Sequence, residues 1–151
     1  MLDHVYVSVS DPVRSLAFYV AALKPLGWRE FLKYEGASGP ASVPDLWGLT
    51  DGAGDSGPAI STSIWLRQRK TGETGLYLGL VADSQAEVEA AYAAALKAGG
   101  LDDGPPAMRR YFGDGYYAAN VIDFDGNRLE FVHKIWNPRR ERVHAGSVPV
   151  P

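Results

Sequence analysis

Hydrophobic and polar residues alternate at the start of the chain with the period of a β-strand. From Leu2 to Ser10, valines occupy positions 5, 7 and 9, and His4, Tyr6 and Ser8 occupy the positions between them. Successive side chains of a strand point to opposite faces. The pattern therefore predicts a strand with an apolar face for packing and a polar face that is available for function.

A helix and three further strands are predicted after this strand. Asp11 is a good N-cap and Pro12 suits the first helical position, and apolar residues then recur at helical spacing until Pro25 and Gly27 end the helix. Strands follow, separated by loops rich in Gly, Ser, Ala and Pro, at Trp28–Tyr34, Leu46–Thr50 and Ile60–Arg67.

The second half of the chain repeats this order. Gly75–Ala82 is predicted as a strand with three leucines on one face and with Tyr77 and Gly79 on the other. Ser84 with Glu87 three residues later forms a capping-box signature, and a helical stripe then runs to Gly99 and Gly100. We expect a loop, a short strand and a closing hairpin to complete this half, at Leu101–Met108, Arg109–Phe112 and Tyr116–Val132 respectively.

The closing hairpin isolates one acidic residue. Asp125, Gly126 and Asn127 have turn chemistry. In the strand after them, period two places Leu129 and Phe131 on a face that packs, and Glu130 on the opposite face. Glu130 therefore points away from the apolar layer.

The two halves share one plan of strand, helix and three strands, which predicts an α+β fold of paired βαβββ modules. We expect one open, curved mixed sheet with helices over its apolar faces, and a cleft on which His4, Tyr6, Tyr77 and Glu130 converge. A single domain over residues 1–136 is expected, with module one at about 1–70, module two at about 74–134, and a peripheral tail at 137–151.

Composition excludes several classes of function. The chain has 151 residues, a formal net charge of −3 and no cysteine. The charge does not favour nucleic acid or an anionic membrane as a partner, and without cysteine there are no disulfides, thiolate metal sites or cysteine nucleophiles. No segment approaches a membrane span and the first residues lack a signal-peptide pattern, so we expect a cytoplasmic protein.

A set of short motifs follows in order along both halves of the chain. The motifs are His4-Val5, Asp11-Pro12, Phe18-Tyr19, Gly27-Trp28, the run from Ala94 to Gly100, Asp103-Gly104-Pro105, Tyr116 to Ala119, and Asp123 to Glu130. In these motifs the chain resembles the vicinal oxygen chelate superfamily, which includes glyoxalase I, bleomycin-resistance proteins, fosfomycin-resistance transferases and extradiol dioxygenases. It is especially similar to the short glyoxalase-like branch.

The resemblance implies a divalent metal ion, such as Zn, Fe, Mn, Ni or Co, in the cleft. His4 would be its ligand from the first strand and Glu130 its ligand from the last. Tyr77 falls at the third-ligand position, where the family commonly has histidine, and it departs from the pattern. The resemblance also implies a homodimer and a small-molecule substrate or ligand.

Each of these residues has an ordinary structural alternative. His4 also fits a hydrogen-bonded histidine on the surface or in a cleft, and Glu130 fits a solvated strand residue or an ion-pair partner of Arg128 or Arg110. Tyr77 fits a cleft-lining residue better than a ligand, because a phenol with a pKa of about 10 is costly to ionise. A substrate pocket is expected from Tyr6, Trp65, Tyr77, Tyr116 and Arg110, although core packing and exposed salt bridges account equally for such residues.

Three hypotheses for function follow. The first is an enzyme, a metal-assisted lyase, isomerase or dioxygenase on a small oxygenated metabolite, with Glu130 as the proton-transfer group. The alternative is a non-catalytic, metal-free protein that binds a drug or antibiotic, as bleomycin-resistance proteins do, and Tyr77 and the four tryptophans favour it. The third is a cleft that has become a partner-binding subunit.

Overall fold

The computed structural model describes residues 4–39, 43–52, 62–110, 112 and 114–134. The described residues form two βαβββ modules, which confirms the predicted α+β fold. The elements in chain order are β1 (His4–Val9), α1 (Pro12–Leu23), β2 (Arg29–Tyr34), β3 (Leu46–Thr50), β4 (Ser63–Gln68), β5 (Tyr77–Val81), α2 (Gln85–Lys97), β6 (Leu101–Met108), β7 (Tyr117–Ile122) and β8 (Arg128–His133). Short 3-10 turns follow α1 and β2.

Each module forms its own four-stranded mixed sheet. Sheet A has the strand order β1-β4-β3-β2, and sheet B has the order β5-β8-β7-β6. In both sheets the first and last strands of the module pair in parallel, and the other pairs are antiparallel. The strands therefore form two open sheets, where one continuous curved sheet was expected.

Both helices begin as their sequences predict. The Asp11 carboxylate accepts a hydrogen bond of 3.0 Å from the Arg14 amide, and Pro12 begins α1. The Ser84 hydroxyl accepts one of 3.2 Å from the Glu87 amide, and the Glu87 carboxylate accepts in return from the Asp83 amide at 2.8 Å. These bonds satisfy amides that have no partner inside a helix. Neither helix has the length and apolar character that a bilayer crossing requires among the described residues.

One hydrophobic core serves both modules. It includes Val7 and Leu66 of sheet A, Leu129 and Phe131 of sheet B, and side chains of both helices. The helices also contact each other. Because the apolar face of each sheet turns toward this shared core, the opposite faces point away from it. We call them outer face A and outer face B, in sheets A and B respectively.

The predicted loop at Leu101–Met108 is wrong, because these residues form β6. Gly104, Pro105 and Pro106 have turn chemistry, but β6 lies at the edge of sheet B and, among the described strands, pairs only with β7. Its register shifts at two places, and an edge strand with bulges tolerates prolines that cannot donate to a ladder. Gly104 takes a φ of 146° there.

The short strand predicted at Arg109–Phe112 is also wrong where the structure describes it. Arg110 and Phe112 lie in a turn, and the Phe112 amide bonds the Arg109 carbonyl at 2.9 Å. The start of the strand predicted at Ile60 and the tail at 137–151 lie outside the described residues.

Candidate functional site

Glu130 is the central group of outer face B. It lies in the middle of β8, between the core residues Leu129 and Phe131, and only 9% of its surface is exposed. Its Oε1 accepts a hydrogen bond of 3.0 Å from the Tyr116 hydroxyl. Its Oε2 lies 3.8 Å from where a Cβ would stand on Gly79, the residue paired with it in β5. Because residue 79 is a glycine, it has no side chain that would fill the space beside this oxygen.

Tyr77 lies next to Glu130 as a neutral phenol. The residue is 55% exposed, and its hydroxyl accepts a hydrogen bond of 2.8 Å from the Asn120 amide group. Partial burial and then the negative charge of Glu130 raise the pKa of Tyr77 above its ordinary value, although the bond from Asn120 opposes this effect. At physiological pH the group is protonated, so it lacks the charge of a phenolate metal ligand.

The cations near this face are engaged elsewhere. Arg128 approaches Asp103, with Nε and Oδ2 at 3.5 Å. The Lys134 ammonium lies over the Tyr116 ring, 5.0 Å from its centre. Within the described part of the chain, no lysine or arginine forms an ion pair with Glu130. The alternative in which Arg128 or Arg110 neutralises Glu130 is therefore wrong for these residues.

Outer face A carries the other predicted site residues. His4 is exposed at the start of β1, and its ring meets the Tyr6 ring edge-on at 5.4 Å. Tyr6 pairs in register with Trp65 of β4. The Trp65 ring meets Phe31 at 5.2 Å, and its indole N–H donates to the Ser63 hydroxyl at 3.1 Å. This face is therefore predominantly aromatic.

The predicted site residues thus divide between the two faces. Outer face B brings together Tyr77, Tyr116 and Glu130, whereas His4, Tyr6 and Trp65 lie on outer face A. Arg110 is exposed in the turn after β6. The prediction that His4 and Glu130 share a metal ion remains a prediction.

The donor set of one chain does not fit a three-ligand metal site. Among residues 4–39, 43–52, 62–110, 112 and 114–134, no three His, Cys, Asp or Glu side chains are grouped so that they could hold an ion. The third position is held by the neutral Tyr77 phenol, whose oxygen already accepts a bond from Asn120. Metal sites of this kind generally use three protein ligands.

Sequence reasoning missed Asn120, which pairs directly with Glu130 across the closing hairpin. A signal was present, since Asn120 is the polar residue in an otherwise apolar strand. Once the hairpin register is counted from its turn, Asn120 falls opposite Glu130 and on the same face. Its role is to hold the Tyr77 hydroxyl.

Comparison with known proteins agrees with this architecture. The sequence profile of the Glyoxalase/Bleomycin resistance protein/Dioxygenase superfamily matches residues 1–131. No curated protein sequence matches the chain. A glyoxalase/bleomycin resistance protein from Albidiferax ferrireducens T118 has a similar structure, with 26% identity and a TM-score of 0.66 over 89% of this chain and 98% of that one.

Two more distant structures share the fold. TnmS3, an antibiotic binding protein from Streptomyces sp. CB03234, is 22% identical with a TM-score of 0.58, over 89% of this chain and 95% of that one. A V278E glyoxalase I mutant from Zea mays is 16% identical with a TM-score of 0.61, over 91% of this chain and 46% of that one. The fold therefore occurs in both a binding protein and a glyoxalase.

Proposed function

We propose that this chain, which belongs to the Glyoxalase/Bleomycin resistance protein/Dioxygenase superfamily, binds a small organic molecule without chemical turnover. The ligand has an aromatic ring and a cationic group that donates hydrogen bonds. It lies on outer face B, with its cation at Glu130. The observation that carries the proposal is the nearly buried Glu130 carboxylate, which has no ion-pair partner among the described residues.

The charge of Glu130 explains the need for a cation. A carboxylate that is removed from water is costly unless it is paired or well hydrogen-bonded. Tyr116 donates a hydrogen bond of 3.0 Å to one of its oxygens, and the neutral Tyr77 phenol forms a further side-chain hydrogen bond with Glu130. Neither phenol brings a positive charge. A ligand ammonium or amidinium group would add the missing positive charge, and charge-assisted hydrogen bonds are the stronger ones.

The surroundings of Glu130 explain the aromatic part. Gly79 leaves the floor of the face flat, and the exposed Tyr77 ring borders it. Phe112 and Tyr116 form a second aromatic pair, with ring centres 5.2 Å apart. Flat aromatic surfaces favour stacked or edge-to-face ligand rings. The shared fold of TnmS3, an antibiotic binding protein, supports this reading.

A matched pair of planar probes tests the proposal. 9-Aminoacridine is a cation at neutral pH and acridine is neutral, and their binding can be followed by fluorescence. We expect 9-aminoacridine to bind the wild-type protein more tightly than acridine does. Glu130→Gln keeps the shape and removes the charge, so it should weaken 9-aminoacridine about tenfold and leave acridine nearly unchanged.

Glu35→Gln is the matched control, because this exposed carboxylate follows β2 of sheet A and pairs with Lys33. It should bind both probes as the wild type does. Equal binding of the two probes, or equal loss in both variants, would show that Glu130 does not recognise a cation.

A second candidate is the metal-assisted lyase, isomerase or dioxygenase. The observation in its favour is that β1 and β5 both lie at sheet edges, so a second copy could bring its own face A near outer face B. His4 of one copy and Glu130 of the other would then serve as ligands of one divalent metal ion. Metal content of purified protein tests this candidate, because stoichiometric metal should be lost in both His4→Ala and Glu130→Gln.

The family resemblance further supports a cytoplasmic homodimer, and we include it in the proposal. Light scattering coupled to size-exclusion chromatography measures the mass directly. If the measured mass is that of one chain, 16.3 kDa, at all concentrations, the result would contradict both the proposed dimer and the shared metal site.

A further inference from the structure

Outer face A contains a pocket that the proposed function does not use. Its volume is about 300 Å³, near the lower limit for small-molecule sites. One wall is apolar and the other carries two cations, and the lining residues are Tyr6, Val43, Pro44, Leu46, Arg67 and Lys70. Leu46 is buried, whereas Tyr6 is 48% exposed.

The Glu73 carboxylate holds both cationic residues of this pocket, Arg67 and Lys70, in place. Both terminal nitrogens of Arg67 donate to Glu73, with one distance of 3.2 Å. The Lys70 amide also donates to the Glu73 carboxylate, at 2.8 Å. The Glu73 amide returns a bond of 3.2 Å to the Lys70 carbonyl, across a turn in which Gly72 has a φ of 89°. Fixed groups lose less entropy when a ligand binds.

The same contacts determine which of the two cations has an uncompensated charge. Arg67 and Glu73 neutralise each other in a two-bond ion pair. The Arg67 hydrogen bond, followed by that of the Lys70 amide, lowers the pKa of Glu73 to about 2, so this pair persists at physiological pH. Among the described residues the Lys70 ammonium has no ion-pair partner. The pocket therefore presents one uncompensated positive charge beside an apolar wall.

We propose that this pocket binds a small carboxylate with an apolar or aromatic body. The Lys70 ammonium contacts the carboxylate, the body packs against Leu46 and Pro44, and the Tyr6 ring covers it. One ammonium on a flexible stem suits a single negative charge. This inference goes beyond the proposed function, which concerns a cation on the other sheet.

The experiment uses 2-naphthoate and its neutral analogue 2-naphthamide. Each is titrated into isotope-labelled protein, and amide NMR shifts report both the affinity and the location. We expect 2-naphthoate to shift the amides of Tyr6, Leu46 and Arg67, and to bind more tightly than 2-naphthamide. Lys70→Met keeps the stem and removes the charge, so it should weaken 2-naphthoate roughly fivefold, as expected for a partly exposed ion pair.

Lys97→Met, at the end of α2, is the matched control and should bind both probes as the wild type does. Glu130→Gln should also leave 2-naphthoate binding unchanged, so this test is independent of the cation site. The inference is overturned by any of three results: no 2-naphthoate binding at about 10 mM, equal affinity of Lys70→Met and wild type, or shifts centred on Tyr77 and Gly79.

Discussion

The two modules have the same strand order and the same parallel pairing of first and last strands, but their outer faces differ in chemistry. Outer face A is aromatic and carries Arg67, with Lys70 at its edge. Outer face B has a nearly buried carboxylate, Glu130, among phenols and an amide. We therefore propose an anion as the ligand of outer face A and a cation as the ligand of outer face B.

The difference shows what the topology determines and what it leaves open. Strand order and the period of two decide that Tyr6 and Glu130 point away from the shared core. They do not decide which groups occupy those positions. Ligand preference consequently follows from side chains on each face and cannot be transferred from one module to the other, or from another family member.

The largest expected effects test whether the modules are equivalent in the shared core. Phe131 in β8 and Leu66 in β4 occupy corresponding last strands, and both are fully buried. Phe131→Ala should lower the free energy of unfolding by about 4 kcal/mol and Leu66→Ala by about 3 kcal/mol, since each leaves a cavity. Urea unfolding followed by circular dichroism measures both.

A single transition is expected in each variant, because one core joins the sheets. If Leu66→Ala produced a separate transition for sheet A while sheet B remained folded, the modules would have independent cores and the comparison would fail.

The next prediction concerns the aspartates that follow β3 and β7. Asp123 is buried and accepts bonds from the Tyr19 hydroxyl at 3.0 Å, from the Asn127 amide at 2.8 Å and from the Asn127 side chain at 2.7 Å. Its counterpart Asp51 accepts a bond of 2.9 Å from the Thr62 amide in a partly exposed turn. Asp123→Ala leaves several buried groups without a hydrogen-bond partner and should lower the free energy of unfolding by about 3 kcal/mol. For Asp51→Ala the expected loss is about 1 kcal/mol.

Thermal and urea unfolding of the two variants measure this difference. Tyr19→Phe removes one of the bonds to Asp123 while keeping the ring, so an intermediate loss is expected. Equal losses for Asp123→Ala and Asp51→Ala would show that the buried network adds nothing to the stability of the second module.

Most of the fold was predictable because local signals agree with the tertiary structure. Alternation located β1, β5 and β8, and capping residues located both helices. The strand β6 was not predictable, because Pro105 and Pro106 are compatible with a strand only at an edge. Edge position is a property of the assembled sheet, which no local window contains.

The candidate site was predictable only in part. The direction of Glu130 followed from period two, whereas its hydrogen bond from Tyr116 was not predicted, because Tyr116 was expected only to line a pocket. The division of His4 and Glu130 between two sheets depends on how the modules pack, which the residues themselves do not encode locally. The protonation of Tyr77 likewise depends on burial and on the charge of Glu130.

Two glycines sharpen the comparison of the outer faces. A Cβ on Gly48 would lie 2.6 Å from the Phe31 ring and 2.8 Å from the Trp65 ring, whereas a Cβ on Gly79 would meet nothing closer than Glu130 Oε2 at 3.8 Å. Gly48→Ala should therefore cost about 2 kcal/mol through overpacking. Gly79→Ala should change stability by less than about 1 kcal/mol.

The two variants should affect binding in the opposite order to their effects on stability. Gly79→Ala places a methyl group beside Glu130 and should weaken 9-aminoacridine about threefold, whereas Gly48→Ala should leave that affinity unchanged in folded protein. Unaltered 9-aminoacridine binding in Gly79→Ala would place the cation site away from Gly79.

The smallest expected effect is a pH dependence of the stability, and it arises at the pocket of outer face A. The Arg67 and Lys70 contacts lower the pKa of Glu73 from 4.5 to about 2 in the folded protein. Folding therefore favours the ionised carboxylate. Its contribution to stability is fully present above pH about 5 and is lost as the pH falls toward about 2.

Glu73→Gln should flatten the dependence of the unfolding midpoint on pH within that window, as measured by urea unfolding at successive pH values. The same substitution in an Arg67→Gln background should flatten it less, because the main partner of Glu73 is already absent. Parallel curves for wild type and Glu73→Gln would mean that Glu73 does not hold the cationic wall of the pocket.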